Sequence, residues 1–147
     1  MAALTGPRNT LRRGDYHYTE ELPVKANSVL HHGGIVATDA TGYVVPGAVS
    51  TALKLPGRFN ASPERKLDNT GGANGAKTGK VEYGTFRWAN SSAGDLIVQA
   101  DVGQPCYIVD DQTVAKTNGT NTRSKAGTIV AVDSSGVWVF MPLGGTA

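Results

Sequence analysis

The chain has 147 residues, a formal net charge of +2 and 19 glycines, the glycine share being about twice that of ordinary globular proteins. A single cysteine excludes an intrachain disulfide framework, no apolar run approaches the roughly 20 residues of a membrane span, and we expect no secretory signal at the start. The small net charge is no argument for nucleic-acid binding. Abundant Thr, Val and Gly, with few strong helix formers, predict an all-β, turn-rich domain with a modest core.

Residues 1–23 are predicted to form an extended N-terminal arm, and residues 24–147 the folded domain. No apolar period of 2 or 3.6 is sustained in the arm. Ordering its backbone would cost on the order of 20–40 kcal/mol, so an ordered arm needs a partner surface. Its candidate contact residues are three arginines and two tyrosines that share one face of an extended chain: Arg8, Arg12, Arg13, Tyr16 and Tyr18.

Short apolar runs separated by turn residues predict the strands of the domain. Their spacing is typical of a small β-barrel or β-sandwich. Residues 60–79 are glycine-rich and are predicted to form a long flexible loop. The predicted strands are 35–38, 43–45, 49–55, 80–88, 105–109, 128–132 and 137–141.

Residues 80–88 give the strongest strand signal. Val81 and Tyr83 share one parity, whereas Phe86 and Trp88 share the other. Gly84 stands between the two pairs and predicts a bulge or a tight bend. We expect Trp88 to be largely buried.

The last predicted strand is apolar on both faces, because Val137 and Val139 alternate with Trp138 and Phe140. One interpretation is a strand covered by the core on one side and by a neighbouring subunit on the other, with Trp138 and Phe140 at the contact. A strand that is central in one core fits the pattern equally well.

Charge is segregated along the chain. Residues 54–87 hold seven basic and three acidic residues, whereas residues 89–115 hold four acidic residues and no basic one. This pattern indicates either two solvated loops or a self-complementary contact between subunits. For such a contact the candidates are Arg65 and Lys66 on one side and Asp110 and Asp111 on the other.

The chain contains no assembled active site that its motifs support. Its glycine-rich stretch has Ala76 where a phosphate-binding loop needs the glycine before Lys77. His31 and His32 are adjacent and would diverge on a strand, so they cannot chelate one metal ion together. Cys106 has no basic neighbour in sequence to activate its thiol. We therefore expect a protein that is not an enzyme and has no catalytic residues, metal or cofactor.

Six segments follow one another between residues 24 and 141, and they are 68–73, 83–91, 101–103, 106–114, 126–130 and 133–139. This ordered series resembles the small capsid cement, or head decoration, proteins of tailed bacteriophages, including Mu-like phages. The resemblance implies a β-rich protein without catalytic residues, often trimeric, bound outside the shell and often reaching its neighbours with a terminal extension.

The resulting hypothesis is a homotrimeric decoration protein that binds the major capsid protein. It would be made in the bacterial cytoplasm, lie on the outer surface of the virion and have no membrane partner. The alternative is a small β-barrel that binds nucleic acid, supported by the basic segment 54–87 with Tyr83, Phe86 and Trp88 interleaved.

Overall fold

A computed structural model describes residues 2–144, and they form an all-β protein, as predicted. Two short 3₁₀ turns, Ala93–Asp95 and Gln99–Asp101, interrupt the strands. The strands are β1 Arg12–Pro23, β2 Val29–His31, β3 Ile35–Thr38, β4 Val44–Pro46, β5 Lys54–Asn60, β6 Lys66–Asp68, β7 Thr78–Trp88, β8 Pro105–Ile108, β9 Val114–Ala115, β10 Lys125–Asp133 and β11 Gly136–Met141.

Nine strands form one curled, half-barrel sheet with the order β4-β3-β5-β7-β11-β10-β8-β9, and β1 pairs with β7 outside this path. Strands β2 and β6 form a separate two-stranded sheet. β7 is the common partner: β5 pairs with its residues 80–82, β11 with residues 84–88, and β1 along residues 78–86. The larger sheet is therefore organised around one strand.

β7 contributes to two separate apolar cores. Val81 and Tyr83 belong to one cluster, and Phe86 and Trp88 to another. Because alternate side chains of a strand point to opposite faces, the two clusters lie on opposite faces of β7. Trp88 has no exposed surface, which confirms the prediction that it is buried.

Gly84 stands where one core gives way to the other, and the predicted irregularity there lies in its partner strand. Arg13 pairs with Thr85 and Tyr18 with Tyr83, so four residues of β1, 14–17, stand opposite Gly84 alone. A Cβ atom on Gly84 would lie 2.8 Å from the carbonyl oxygen of Tyr16. A glycine is therefore required by close approach of the backbone of β1.

The segment predicted as an arm, 1–23, is held against the predicted domain, 24–147, over much of its described length. Residues 12–23 are extended, as predicted, but they pair with β7 of their own chain. The preceding residues are also fastened: Leu4 N–H donates to Asp111 Oδ1 (2.6 Å), Arg8 N–H to the His32 carbonyl (2.7 Å), and the Thr10 hydroxyl to the Gly33 carbonyl. Apolar periodicity misses β1 because nine of its twelve residues are exposed, and backbone pairing forms the strand instead.

Two further boundaries differ from the prediction. The strand expected at 49–55 begins at Lys54 and continues through Pro56 and Gly57 to Asn60. There the proline and glycine stand within a strand whose pairing with β3 is irregular, rather than ending it. The loop expected at 60–79 contains β6, which pairs with β2.

Replacing Trp88 by alanine tests the core. We expect Trp88→Ala to lower the free energy of unfolding by about 3–5 kcal/mol, through lost burial and the cavity left behind. Chemical denaturation measures the change. Val130→Ala is the control, because Val130 is 42% exposed and surface substitutions usually stay within about 0.5 kcal/mol. Equal stability of Trp88→Ala and the parent would contradict the assignment.

Replacing Gly84 by alanine tests the close approach of the β1 backbone to β7. The added Cβ must displace a backbone carbonyl, so we expect Gly84→Ala to destabilise the protein by roughly 1–3 kcal/mol. Gly94→Ala is the matched control, because a Cβ there meets nothing within 4 Å. The same denaturation midpoint for both variants would show that β1 does not approach Gly84 closely.

Candidate interaction surface

Residues predicted for the capsid contact, Arg13 and Tyr16, lie on the same face of the sheet as Trp138 and Phe140, which were predicted for a subunit contact. Trp138 and Phe140 pair with Arg87 and Thr85 of β7, and Arg13 of β1 pairs with Thr85 from the other side. Val137 and Val139, which alternate with the two aromatic residues, are buried in the core. We call this surface the Trp138 face, formed by Arg13, Tyr16, Arg87, Trp138 and Phe140.

Two guanidinium groups lie over the indole ring of Trp138. The Cζ atoms of Arg13 and Arg87 are 5.4 and 5.7 Å from the ring centroid, within the range of cation–π attraction. The indole Nε1–H donates to Asp133 Oδ2 at 3.2 Å. Hydrogen bonds from the Ser135 backbone and then from Trp138 lower the pKa of the exposed Asp133 carboxyl. Trp138 therefore positions two cations and one anion.

Phe140 is covered by the same chain. Tyr16 packs edge-on against it, with ring centroids 5.1 Å apart, and the Tyr16 hydroxyl accepts a hydrogen bond from Leu143 N–H (3.2 Å). The ring of Tyr18 lies 5.2 Å from that of Tyr16 and is 53% exposed as a residue. The second apolar side of β11 is thus covered by β1, and it does not require the neighbouring subunit that the sequence suggested for Trp138 and Phe140.

The arginines of the N-terminal segment differ in their availability. Arg8 lies over the ring of Trp88 (5.4 Å), and its Nη1 donates to Thr10 Oγ1 (2.8 Å) and to the Arg87 carbonyl (2.9 Å). Burial, and then the charge of Arg87, lower the pKa of Arg8. Arg8 therefore joins the segment to its own domain, whereas Arg12 and Arg13 are exposed.

Asp111 does not serve as a surface partner for Arg65 and Lys66. Asp111 is 5% exposed as a residue, and its Oδ1 accepts the Leu4 N–H. Asp110 Oδ1 accepts the Gln112 N–H (2.9 Å), as a turn residue does. Arg65 and Lys66 are exposed, but of the two acidic candidates Asp111 is bonded to the N-terminal segment and Asp110 to its own turn.

Sequence reasoning missed an ion pair beneath this segment. Arg58 donates to Glu82 Oε1 through Nε (2.9 Å) and Nη2 (2.8 Å), and Asn60 Nδ2 donates to Glu82 Oε2 (3.2 Å). Arg58 also lies 4.4 Å over the Phe86 ring and donates to the Thr10 carbonyl. The available signal was Glu82, the single acidic residue of the predicted strand 80–88.

The aromatic residues invoked for nucleic-acid stacking are all in the core. Tyr83, Phe86 and Trp88 have no exposed surface, so none of them offers a ring to a base. Burial, and then the charge of Glu20, raise the pKa of Tyr83 to about 12. The basic residues of segment 54–87 are therefore not interleaved with exposed rings.

Other chemical groups do not assemble into a site in the part of the chain that the structure describes. Burial raises the pKa of the Cys106 thiol to about 12. Residues 2–144 contain no group of three or more His, Cys, Asp or Glu arranged to hold a metal ion. A groove of about 440 Å³ is lined by Lys66, Lys77 and Lys80 but also by Glu21, Glu64 and Asp68, and so has no single charge preference.

Comparison with known proteins found no family model, curated protein or solved structure that matches this chain. Among residues 2–144, no helix is long and apolar enough to cross a membrane.

Replacing Asp111 by asparagine tests the fastening of the N-terminal segment through its pH dependence. Burial, and then the charge of Asp110, raise the pKa of Asp111, so the folded state holds this proton more tightly than the unfolded state. The contribution of Asp111 to stability therefore falls as pH rises above the ordinary aspartate range of about 4. Asparagine keeps an oxygen for the Leu4 N–H but never ionises.

We expect the stability of Asp111→Asn relative to the parent to increase between about pH 4 and pH 7. Urea denaturation across this range measures it. Asp133→Asn provides a contrasting control, because the pKa of Asp133 is lowered and its contribution to stability is lost only as pH falls below about 4, so its difference from the parent should change little between pH 4 and pH 7. A pH-independent difference for Asp111→Asn would contradict the buried carboxylate.

Proposed function

We propose that this protein decorates the head of a tailed bacteriophage, where it binds the major capsid protein on the outer surface and stabilises the shell without catalysing a reaction. In this proposal it is made in the bacterial cytoplasm, assembles as a homotrimer and has no cofactor. The resemblance carried by the ordered segments between residues 24 and 141 supports this function, and the all-β fold is the one that the resemblance implies.

The observation that carries a capsid-binding role is the Trp138 face. Arg13 and Arg87 are held over one indole ring, beside Tyr16 and Phe140. Guanidinium groups form paired hydrogen bonds with carboxylates, and Arg is among the residues that dominate the binding energy of protein interfaces. Since these side chains are ordered before binding, little conformational entropy is lost on docking.

This arrangement changes how attachment would work. The sequence favoured a free arm that becomes ordered on the shell, whereas residues 4–23 already bond to the rest of the chain. We therefore propose that a rigid face, and not a flexible arm, meets carboxylates of the capsid protein. Nucleic-acid binding is kept only as an alternative outcome of the test. The aromatic rings that supported it, Tyr83, Phe86 and Trp88, are buried.

A charge reversal on the Trp138 face tests the proposal. Purified Arg87→Glu is added to capsids that lack the protein, over a salt series, and occupancy is counted by cryo-EM. At low salt, we expect Arg87→Glu to reach the same occupancy as the parent only at a protein concentration about tenfold higher or more. Most of this loss of affinity should come from faster release. Lys125→Glu, an equal charge change at an exposed position of β10, should bind like the parent.

Folding of both variants is checked by their denaturation midpoints. Equal occupancy by Arg87→Glu and the parent at every salt concentration would exclude this face as the attachment surface. Absence of the parent from capsids, together with DNA binding that weakens steeply with salt, would replace decoration by the nucleic-acid alternative.

A further inference from the structure

Strand β1 has one free edge. It pairs with β7 alone among the strands of residues 2–144, and an unpaired edge of 12 residues is a template for another strand. We propose that β1 pairs with β1 of a second copy of this chain about a two-fold axis at Tyr18, which joins two sheets into one. The proposal goes beyond decoration and does not depend on a capsid.

The backbone of β1 directs the required groups to its free edge. Leu11 accepts a hydrogen bond from Arg87 N–H (3.1 Å), and Val24 N–H donates to the Lys77 carbonyl (2.9 Å). Alternate residues of an antiparallel strand direct their N–H and C=O groups to opposite edges. The two bonds therefore show which residues at each end of β1 bond to β7 and which bond outward. Arg12 at one end, and Thr19 and Glu21 at the other, therefore turn their N–H and C=O groups away from β7.

Charge makes this edge complementary to itself. Positions along β1 are counted here by the β7 residues that they face. Tyr18 faces residue 83, Arg12 faces residue 86 and Glu21 faces residue 80, so Arg12 and Glu21 lie three positions to either side of Tyr18. A two-fold axis at Tyr18 consequently places Arg12 opposite Glu21 of the second copy. Arg13 and Glu20 stand two positions to either side, opposite residues 85 and 81, and meet in the same way. Symmetry gives four opposite-charge pairs.

The paired side chains also share faces. Arg12 and Glu21 stand opposite even-numbered residues of β7, and Arg13 and Glu20 opposite odd-numbered ones, so each pair lies on one face of the joined sheet. All four are exposed, and none forms an ion pair within residues 2–144. Opposite charges directly across an antiparallel pair stabilise it, whereas like charges destabilise it.

Tyr16, within the irregular residues 14–17, turns toward its own sheet and away from this edge. The Tyr16 carbonyl lies over Gly84 of β7, and the Tyr16 ring packs on Phe140 of β11. Tyr18, at the axis, is 53% exposed and is free to meet its counterpart. The contact is two-fold, and thus distinct from the three-fold contact of the proposed trimer, so it doubles the mass of the unit that it joins.

Charge exchange tests the pairing on the full chain without capsids. Arg12→Glu/Arg13→Glu leaves only acidic charges at these four positions, and Glu20→Arg/Glu21→Arg leaves only basic ones. In sedimentation velocity at low salt, we expect the parent to show the doubled mass and each double variant to associate about tenfold or more weakly. An equimolar mixture of the two variants should restore the doubled mass, and high salt should weaken it.

A cysteine at the axis tests the register. Tyr18 faces its counterpart as a non-hydrogen-bonded pair, with Cα atoms about 4.5 Å apart, a separation that a disulfide tolerates. Cys106 is buried and does not compete. Under mild oxidation we expect Tyr18→Cys to form covalent dimers about tenfold faster than Lys125→Cys, which is an exposed cysteine elsewhere. Equal rates for both variants, or a mixture of charge variants that stays at the undoubled mass, would overturn the proposal.

Discussion

The antiparallel pairing along β7 is the constraint on which the other features depend. β5 pairs with one part of this strand and β11 with the next, and β1 follows both parts. The partners change near Gly84, where the side chains that enter a core also change from odd to even positions. One strand can therefore support two cores, provided that a residue without a side chain stands at the point where β1 crosses it closely.

Arginines complete what backbone pairing begins. Arg8 lies over Trp88, Arg58 over Phe86, and Arg13 with Arg87 over Trp138. Arg58 is further paired with Glu82 in a mostly buried position. Removing one partner of such a pair leaves an uncompensated charge, which is strongly destabilising, so these contacts specify where the N-terminal segment lies. Long side chains that carry both apolar stems and charge are suited to this covering role.

These contacts link stability to function. Since β1 pairs with β7 on either side of its irregular residues 14–17, its Arg13 is part of a rigid aromatic face, and its outer edge remains without a partner strand within residues 2–144. The face suits a partner that offers carboxylates, and the edge suits a second copy of the same strand. Both surfaces exist because the segment that the sequence marked as an arm is already folded onto its own domain.

The sequence by itself determined the elements whose apolar residues alternate. The alternation of apolar residues predicted β7 and the burial of Trp88, through Val81, Tyr83, Phe86 and Trp88. Composition and turn residues predicted the all-β class. Gly84 likewise marked an irregularity, because glycine in a strand signals close approach.

Only the tertiary structure decided what covers each surface. β1 carries no apolar period, and it becomes a strand because β7 offers unpaired backbone groups. From the sequence, Trp138 and Phe140 were candidates for contact with a neighbouring subunit, but in the structure Arg13 and Tyr16 of β1 cover them. Asp111 was predicted to lie at the surface, but it is buried and accepts a hydrogen bond from Leu4 N–H. Apolar periodicity indicates which side chains are buried, but contacts between residues distant in sequence determine which element covers them. A strand held by backbone pairing and by cation–π contacts needs no apolar periodicity, so the sequence pattern does not reveal it.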